Sequence, residues 1–180
     1  MSSTTATLAI GDWIPGLATL VGAAGERYTL ASFAETELLV VVFVANGCPT
    51  VRLCEERLVD IHHRFGESGV GIVLVNSNNP HLSPPDTAER VAARASSSAL
   101  PFPYLKDPEG ALARSWGAVC TPHAFVVDGD RRLRYRGRID DSRTGGSVTS
   151  RDLADAIVDL LSDRSVPVPE TLPFGCAIVW

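Results

Sequence analysis

The amino-acid sequence predicts an α/β fold, a central mixed sheet with helices on both of its faces. Three observations carry this expectation. Leu38-Leu-Val-Val-Val-Phe-Val44 and Val70–Val75 are apolar without alternation, the pattern of strands covered on both faces. Helical spacing fills the stretch between them, and a strand–helix–strand unit requires a parallel pair with a right-handed crossover. Further on, Ala124–Val127 and Leu133–Arg136 flank a turn at Asp128-Gly-Asp130, which adds an antiparallel hairpin.

The elements follow in order. After the break Ala45-Asn-Gly-Cys-Pro49, the residues Val51, Leu58, Val59, His62 and Phe65 recur at helical spacing. Pro49 suits the first turn of that helix, where its missing N–H is not needed, and Gly66 and Gly69 end it. Asn76-Ser-Asn-Asn-Pro80 closes the second strand. Asp86–Ala95 reads as a helix with Asp86 as its cap. A short Tyr104-Leu105 strand follows Pro101 and Pro103, then a helix from about Glu109 to Trp116. Arg151–Leu161 is the last helix, and Ser165–Trp180 is a Pro-rich C-terminal tail with three prolines. The order β-α-β-α-(α)-β-β-α is the thioredoxin-like arrangement. Thr121-Pro122 stands just before the third strand, where that fold places a proline, often cis, beside its active site. Residues 1–180 read as one domain, with 165–180 as its tail.

Composition narrows the function. The 180 residues, 45% hydrophobic and 21% charged, suit a globular core rather than a disordered chain. A net charge of −5 argues against a dedicated nucleic-acid binder. The longest apolar run, Leu38–Ala45, falls far short of the roughly 20 residues of a membrane helix, so no membrane association is expected. Met1–Asp12 carries neither a basic start nor an apolar stretch, which leads to an expected location in the cytoplasm, where thiols stay reduced. No phosphate loop, Rossmann glycine set, Ser-His-Asp order or zinc spacing is present, so no cofactor and no metal is expected.

The four cysteines therefore matter one by one. Cys48 sits where a buried strand gives way to a helix, and the free N–H groups and positive dipole end there stabilise a thiolate. Arg52, one turn further on, lowers the thiol pKa again if it faces the same way. Cys54 is six residues along the same helix, about 9 Å up its axis and beyond disulfide reach, so it reads as an inert core residue. Cys120 precedes Thr121-Pro122, the loop that faces the active-site helix start in this fold, and alternation along that loop aims its thiol either toward Cys48 or away from it. Cys176 lies in the tail; Cys120, Cys176 and, with local melting of the helix, Cys54 stand as alternative thiols to resolve an oxidised Cys48. His62 and His63 are adjacent on a helix and diverge, which does not suit a metal pair. His123, at a strand start, reads as exposed. The arginines from Arg131 to Arg138 alternate with apolar residues as on a solvated face, and Asp140, Asp141 and Arg143 form a polar loop.

From about Gly11 to Trp180 a series of stretches then carries a resemblance. They are Asn46-Gly-Cys-Pro49 with Glu56-Arg-Leu58, Asn76-Ser-Asn78, Pro101-Phe-Pro-Tyr-Leu105, Gly117-Ala-Val-Cys-Thr-Pro122, Tyr135-Arg-Gly-Arg-Ile-Asp-Asp-Ser-Arg143 and Pro173-Phe-Gly-Cys176. In this series the chain resembles the peroxiredoxin-like branch of the alkyl hydroperoxide reductase / thiol-specific antioxidant (redoxin) family, within the thioredoxin superfamily. It departs from the usual Cys-Asn-His-Cys-Pro of such relatives, because Ala45 stands in place of the first cysteine. Exchange of the thioredoxin type needs that first thiolate. What the resemblance implies is a thiol-dependent oxidoreductase that reduces a peroxide through Cys48, with Cys120, Arg52, Thr121 and Pro122 around it. Its partners would be a peroxide or small-molecule thiol substrate and a thiol reductant. Peroxiredoxins also place a Thr three residues before the reacting cysteine and an activating Arg beside it. Ala45 lacks that hydroxyl, and Arg52, Arg136 and Arg138 are the nearest arginines by proximity. Two alternatives stand beside this reading: a thioredoxin-fold binding or adaptor protein without redox turnover, and an enzyme of specialised metabolism redirected to a larger organic substrate.

Overall fold

Apolar strands covered on both faces become the centre of the sheet. A computed structural model describes residues 8–17, 19–98 and 100–180. Its elements are β1 (Leu20–Val21), β2 (Arg27–Tyr28), β3 (Leu38–Val44), α1 (Pro49–Phe65), β4 (Val70–Asn76), α2 (Ala88–Ser97), β5 (Tyr104–Lys106), α3 (Ala111–Trp116), β6 (Cys120–Thr121), β7 (His123–Asp128), β8 (Leu133–Gly137), α4 (Asp152–Leu161) and β9 (Cys176–Ala177). Seven strands form one sheet in the order β2-β1-β5-β4-β3-β7-β8, and β6 pairs with β9 apart from it. β3 and β4 run parallel with Val40 opposite Ile72, while β3 and β7 run antiparallel with Val40 opposite Val126. The β7–β8 hairpin adds the far edge.

All seven residues of β3 are buried. Strand alternation sends Leu38, Val40, Val42 and Val44 into one core with α1, α2 and α4, and Leu39, Val41 and Phe43 into the other with α3. On the first face α1 contributes Val51, Cys54, Leu58 and Ile61, and α4 contributes Leu153, Ala156 and Ile157. On the second, Trp116 packs edge-on against Phe43 and Phe125. Each such side chain, fully buried, stabilises the fold by about 1.5–3 kcal/mol.

Three expectations change. The helix after β4 starts at Ala88 and is capped by Thr87, whose hydroxyl accepts the Arg90 N–H; Asp86 lies inside the protein, serving a different purpose. His123 is buried rather than exposed. Helix α3 begins at Ala111, after Gly110 in a left-handed conformation, two residues later than the spacing suggested. Strands β1 and β2, two residues each, have no counterpart in the sequence reading.

The tail runs back along the sheet. Arg136 N–H donates to the Pro169 carbonyl and Thr171 N–H to the Arg136 carbonyl, at 3.0 and 3.1 Å. The Tyr135 and Thr171 hydroxyls share a bond of 2.7 Å. From there the chain reaches the carboxyl ends of β3 and β4, where β9 pairs with β6, Cys176 opposite Thr121. Among the described residues no helix is long and apolar enough to cross a membrane.

Candidate active site

The end of β3 and the start of α1 meet in a tight turn, in which the Cys48 N–H donates to the Ala45 carbonyl at 3.3 Å. Cys48 is the N-cap of α1, with extended backbone (φ −83°, ψ 115°), and Pro49 occupies the first helical position. Its sulfur thus lies at the positive end of a 17-residue helix, where unpaired N–H groups favour an anion. Thr121-Pro122 is a cis peptide and faces this point, the Thr121 carbonyl lying 3.1 Å from Cys48 Sγ.

Cys48 has two sets of partners, one for each protonation state. As a thiol it donates to the Thr121 carbonyl. Burial pushes its pKa up, but the thiolate accepts from the Cys176 thiol, the Thr121 hydroxyl, the Val51 N–H and the Cys176 N–H, and the result lies below the ordinary thiol value. Four donors for the anion against one acceptor for the thiol set that direction. Cys176 moves the opposite way, pushed up to about 11 by burial, by its bond to Cys48 and by the charges of Cys48 and Cys120. The first proton lost by the pair therefore leaves Cys48.

Each expected residue has a definite place. Strand pairing sets Cys176 opposite Thr121, the residue whose carbonyl contacts Cys48 Sγ. The Cys120 thiol turns instead to the Pro122 carbonyl at 3.7 Å, and burial together with the Cys48 charge raises it to about 11. Arg52 is exposed and reaches the Asn46 carbonyl at 3.5 Å. Thr121 contributes its carbonyl and hydroxyl, and Pro122 its cis bond. Cys54 is buried on α1, and burial and Asp140 raise it to about 11. His123 is not a base for Cys48: burial depresses it to about 4, and neutral Nδ1 accepts the Val119 N–H at 3.4 Å. Arg134 and Arg136 on β8 and Arg138 just after it are ion-paired rather than merely solvated, with Asp128, Glu170 and Asp152 respectively.

A buried polar cluster escaped the sequence reading. Asp86, only 1% exposed, accepts four hydrogen bonds. Oδ1 takes the Asn46 N–H and Asn76 Nδ2, both at 2.7 Å, and Oδ2 takes Asn78 Nδ2 at 2.8 Å and the Ser83 hydroxyl at 2.6 Å. The Tyr104 hydroxyl donates to Asn46 Oδ1 at 2.7 Å. Lys106, the single lysine, donates to Asn76 Oδ1 and the Asn78 carbonyl at 2.7 and 2.6 Å. Asn78 in turn holds the tail: its Oδ1 accepts the Val179 N–H at 2.9 Å, while Asn79 N–H donates to the Val179 carbonyl. One carboxylate thus ties the Cys48 loop, through Asn46, to the tail, through Asn78. Asn76-Ser-Asn78 next to an apolar strand was the available signal.

The tail also explains Gly175. Its φ is +147°, and a Cβ there would overlap the Thr121 carbonyl oxygen and stand 2.8 Å from the carbonyl carbon. Only glycine lets Cys176 come this close to the cis-proline loop.

A mixed sheet flanked by helices, with a cysteine heading α1 opposite a cis-proline, defines a thioredoxin-like α/β protein. Within that class the chain belongs to the Redoxin family, whose model matches residues 9–157. Among solved structures it is similar to a hypothetical protein, SMc02350, from Sinorhizobium meliloti 1021 (36% identity, 97% of this chain and 96% of that one, TM-score 0.89). It is also similar to an uncharacterized conserved protein from Geobacillus kaustophilus (31% identity, 97% and 94%, TM-score 0.88). The peroxidoxin BcpB from Mycobacterium tuberculosis shares the fold at 17% identity, over 86% of this chain and 95% of that one, with TM-score 0.61. No curated protein matches the chain.

Proposed function

We propose that the protein is a thiol-dependent oxidoreductase that reduces a small hydroperoxide at Cys48. The observation that carries this reading is the Cys48 sulfur itself, held at the head of α1 among donors that favour its thiolate. The thiolate attacks the terminal peroxide oxygen, the O–O bond breaks, the alkoxide leaves with a proton as an alcohol, and Cys48 becomes a sulfenic acid. With Cys48 only 1% exposed, a small molecule suits the site better than a protein disulfide. The name of the Mycobacterium neighbour, a peroxidoxin, agrees with this chemistry. The test is dimedone trapping of Cys48 after one equivalent of hydrogen peroxide or cumene hydroperoxide, together with peroxide consumption. Cys48→Ser abolishes both if the proposal holds.

The seclusion of Cys48 favours a second reading, a binding module without turnover. Under it, peroxide leaves Cys48 unmodified and alkylation at neutral pH is no faster than at Cys54.

A further inference from the structure

We infer that Cys176, on the tail strand β9, is the redox partner of Cys48, and that oxidation joins them in an intrachain disulfide that pins the tail over the site. The inference rests on the reading of Cys48 as a reacting thiol and adds the second half of its cycle. β9 pairs with β6 so that Cys176 stands opposite Thr121, the residue whose carbonyl contacts Cys48 Sγ at 3.1 Å. The Cys176 side chain packs against the core cluster that contains Cys48, close enough for its thiol and N–H to favour the Cys48 thiolate. Cys120 is next in sequence to Thr121, but its thiol points to the Pro122 carbonyl. Cys54 follows Cys48 on the same intact helix, too far along it to bridge.

The step balances. Cys48–SOH and Cys176–SH give Cys48–S–S–Cys176 and water: the S–O bond of the sulfenic acid breaks, the S–S bond forms, and the Cys176 proton leaves with the hydroxyl. The hydroperoxide supplies the two oxidising equivalents, and a dithiol restores both thiols. The charges order the two steps. While Cys48 is a thiolate, its hydrogen bond and its negative charge keep the proton on Cys176. Conversion to the neutral sulfenic acid removes both influences, so the Cys176 thiol becomes easier to ionise once there is an electrophile beside it.

Trypsin separates the four cysteines, because Arg27, Arg52, Arg57, Arg114, Arg131 and Arg164 bound four different peptides. Reduced full-length protein is treated with one equivalent of hydrogen peroxide, or separately with diamide, then blocked and digested without reductant. The expected product with either oxidant is the peptide containing Cys48 joined to the one containing Cys176, with Cys54 and Cys120 still free. In Cys176→Ser the disulfide is absent, and dimedone captures about tenfold more Cys48 sulfenic acid than in the wild type. A Cys48–Cys120 or Cys48–Cys54 link, or a dimer through Cys48 with Cys176 still free, overturns the inference. If peroxide leaves Cys48 untouched in both proteins while diamide joins Cys48 to Cys176, the pairing stands and the peroxidase reading falls.

Discussion

Replacing Asp86 by Asn tests whether the buried carboxylate holds the site together. Asn keeps the shape but replaces one acceptor oxygen by an NH2 group. That group faces donors it cannot serve: either the pair Asn46 N–H and Asn76 Nδ2, or the pair Asn78 Nδ2 and the Ser83 hydroxyl. Each buried donor left without a partner costs about 1–3 kcal/mol. Lys106 also loses a nearby counter-charge; burial lowers its pKa, and Asp86 and Asp107 counter that. The expected loss is about 3–5 kcal/mol, the range for removing one member of a buried charged network. At about 2–4 °C per kcal/mol, the melting temperature falls by roughly 6–20 °C. The pH dependence has a definite sign. Burial raises the Asp86 pKa, but bonds from Ser83, Asn78, Asn46 and Asn76 outweigh it and hold it below the ordinary 3.8. Its contribution is therefore complete above pH ~4 and is lost as the pH falls through the lower, folded-state value. Urea unfolding of wild type and Asp86→Asn at pH 7, and stepwise down to pH 3, measures both effects. A loss below about 1 kcal/mol at pH 7, the net worth of one ordinary hydrogen bond, refutes the reasoning. So does a variant whose stability falls on acidification in parallel with the wild type.

Four further variants address the sulfur directly. Cys176→Ala removes a donor to the Cys48 thiolate and should raise its pKa by about one unit, whereas Cys176→Ser, which keeps a donor, should not; iodoacetamide rates against pH for Cys48 decide it. Gly175→Ala cannot keep β9 against Thr121, so Cys48 should alkylate about tenfold faster at pH 10, where ionisation no longer limits the rate; an unchanged rate would mean that the tail does not cover the sulfur. The wild type should scarcely reduce insulin disulfides. Ala45→Cys, in the turn closed by the bond from Cys48 N–H to the Ala45 carbonyl, should form an internal disulfide with Cys48 on mild oxidation and gain that activity.

The sheet was legible because its central strands are apolar on both faces: Leu38–Val44 and Val70–Asn76 have no alternative assignment once Pro49 and Gly66 bound the helix between them. The hairpin was legible from Asp128-Gly-Asp130. Cys48 was legible because a strand-to-helix junction places helix N–H groups beside it whatever the rest of the fold does. Its partner was not. Cys120 is near in sequence to the cis-proline loop, but strand alternation turns its thiol to Pro122, while Cys176 depends on where a tail with little regular structure lands. The readable trace of that landing was Gly175 beside Cys176, a glycine needed for close backbone approach. Asp86 was misread because a carboxylate just before a helix looks like a cap; Thr87 fills that place, and the interior donors that claim Asp86 come from Asn46, Asn76 and Asn78, scattered over three segments.

Placing the two thiols on β9 and at the head of α1, rather than both on α1, changes what oxidation does to the whole molecule. A Cys-x-x-Cys disulfide closes a loop of a few residues and restrains the unfolded chain by only about 2 kcal/mol in chain-entropy terms. A Cys48–Cys176 disulfide closes a loop that contains β4, β5, β7 and β8, four of the seven strands of the main sheet, and a loop of that size restrains the unfolded chain by about 4–5 kcal/mol. β9 already lies against the Thr121 loop that contacts Cys48, so little of that gain need be lost to distortion. With a denaturant slope of about 2 kcal/mol per molar urea, the unfolding midpoint of the oxidised protein should lie about 2 M above that of the reduced one. The same comparison in Cys176→Ser should show no difference between oxidised and reduced samples. If the wild-type midpoint moves by less than about 0.5 M, or moves equally in Cys176→Ser, then oxidation does not close this loop. Redox state would in that case leave the tail as it is, and the coupling argued from β9 would be wrong.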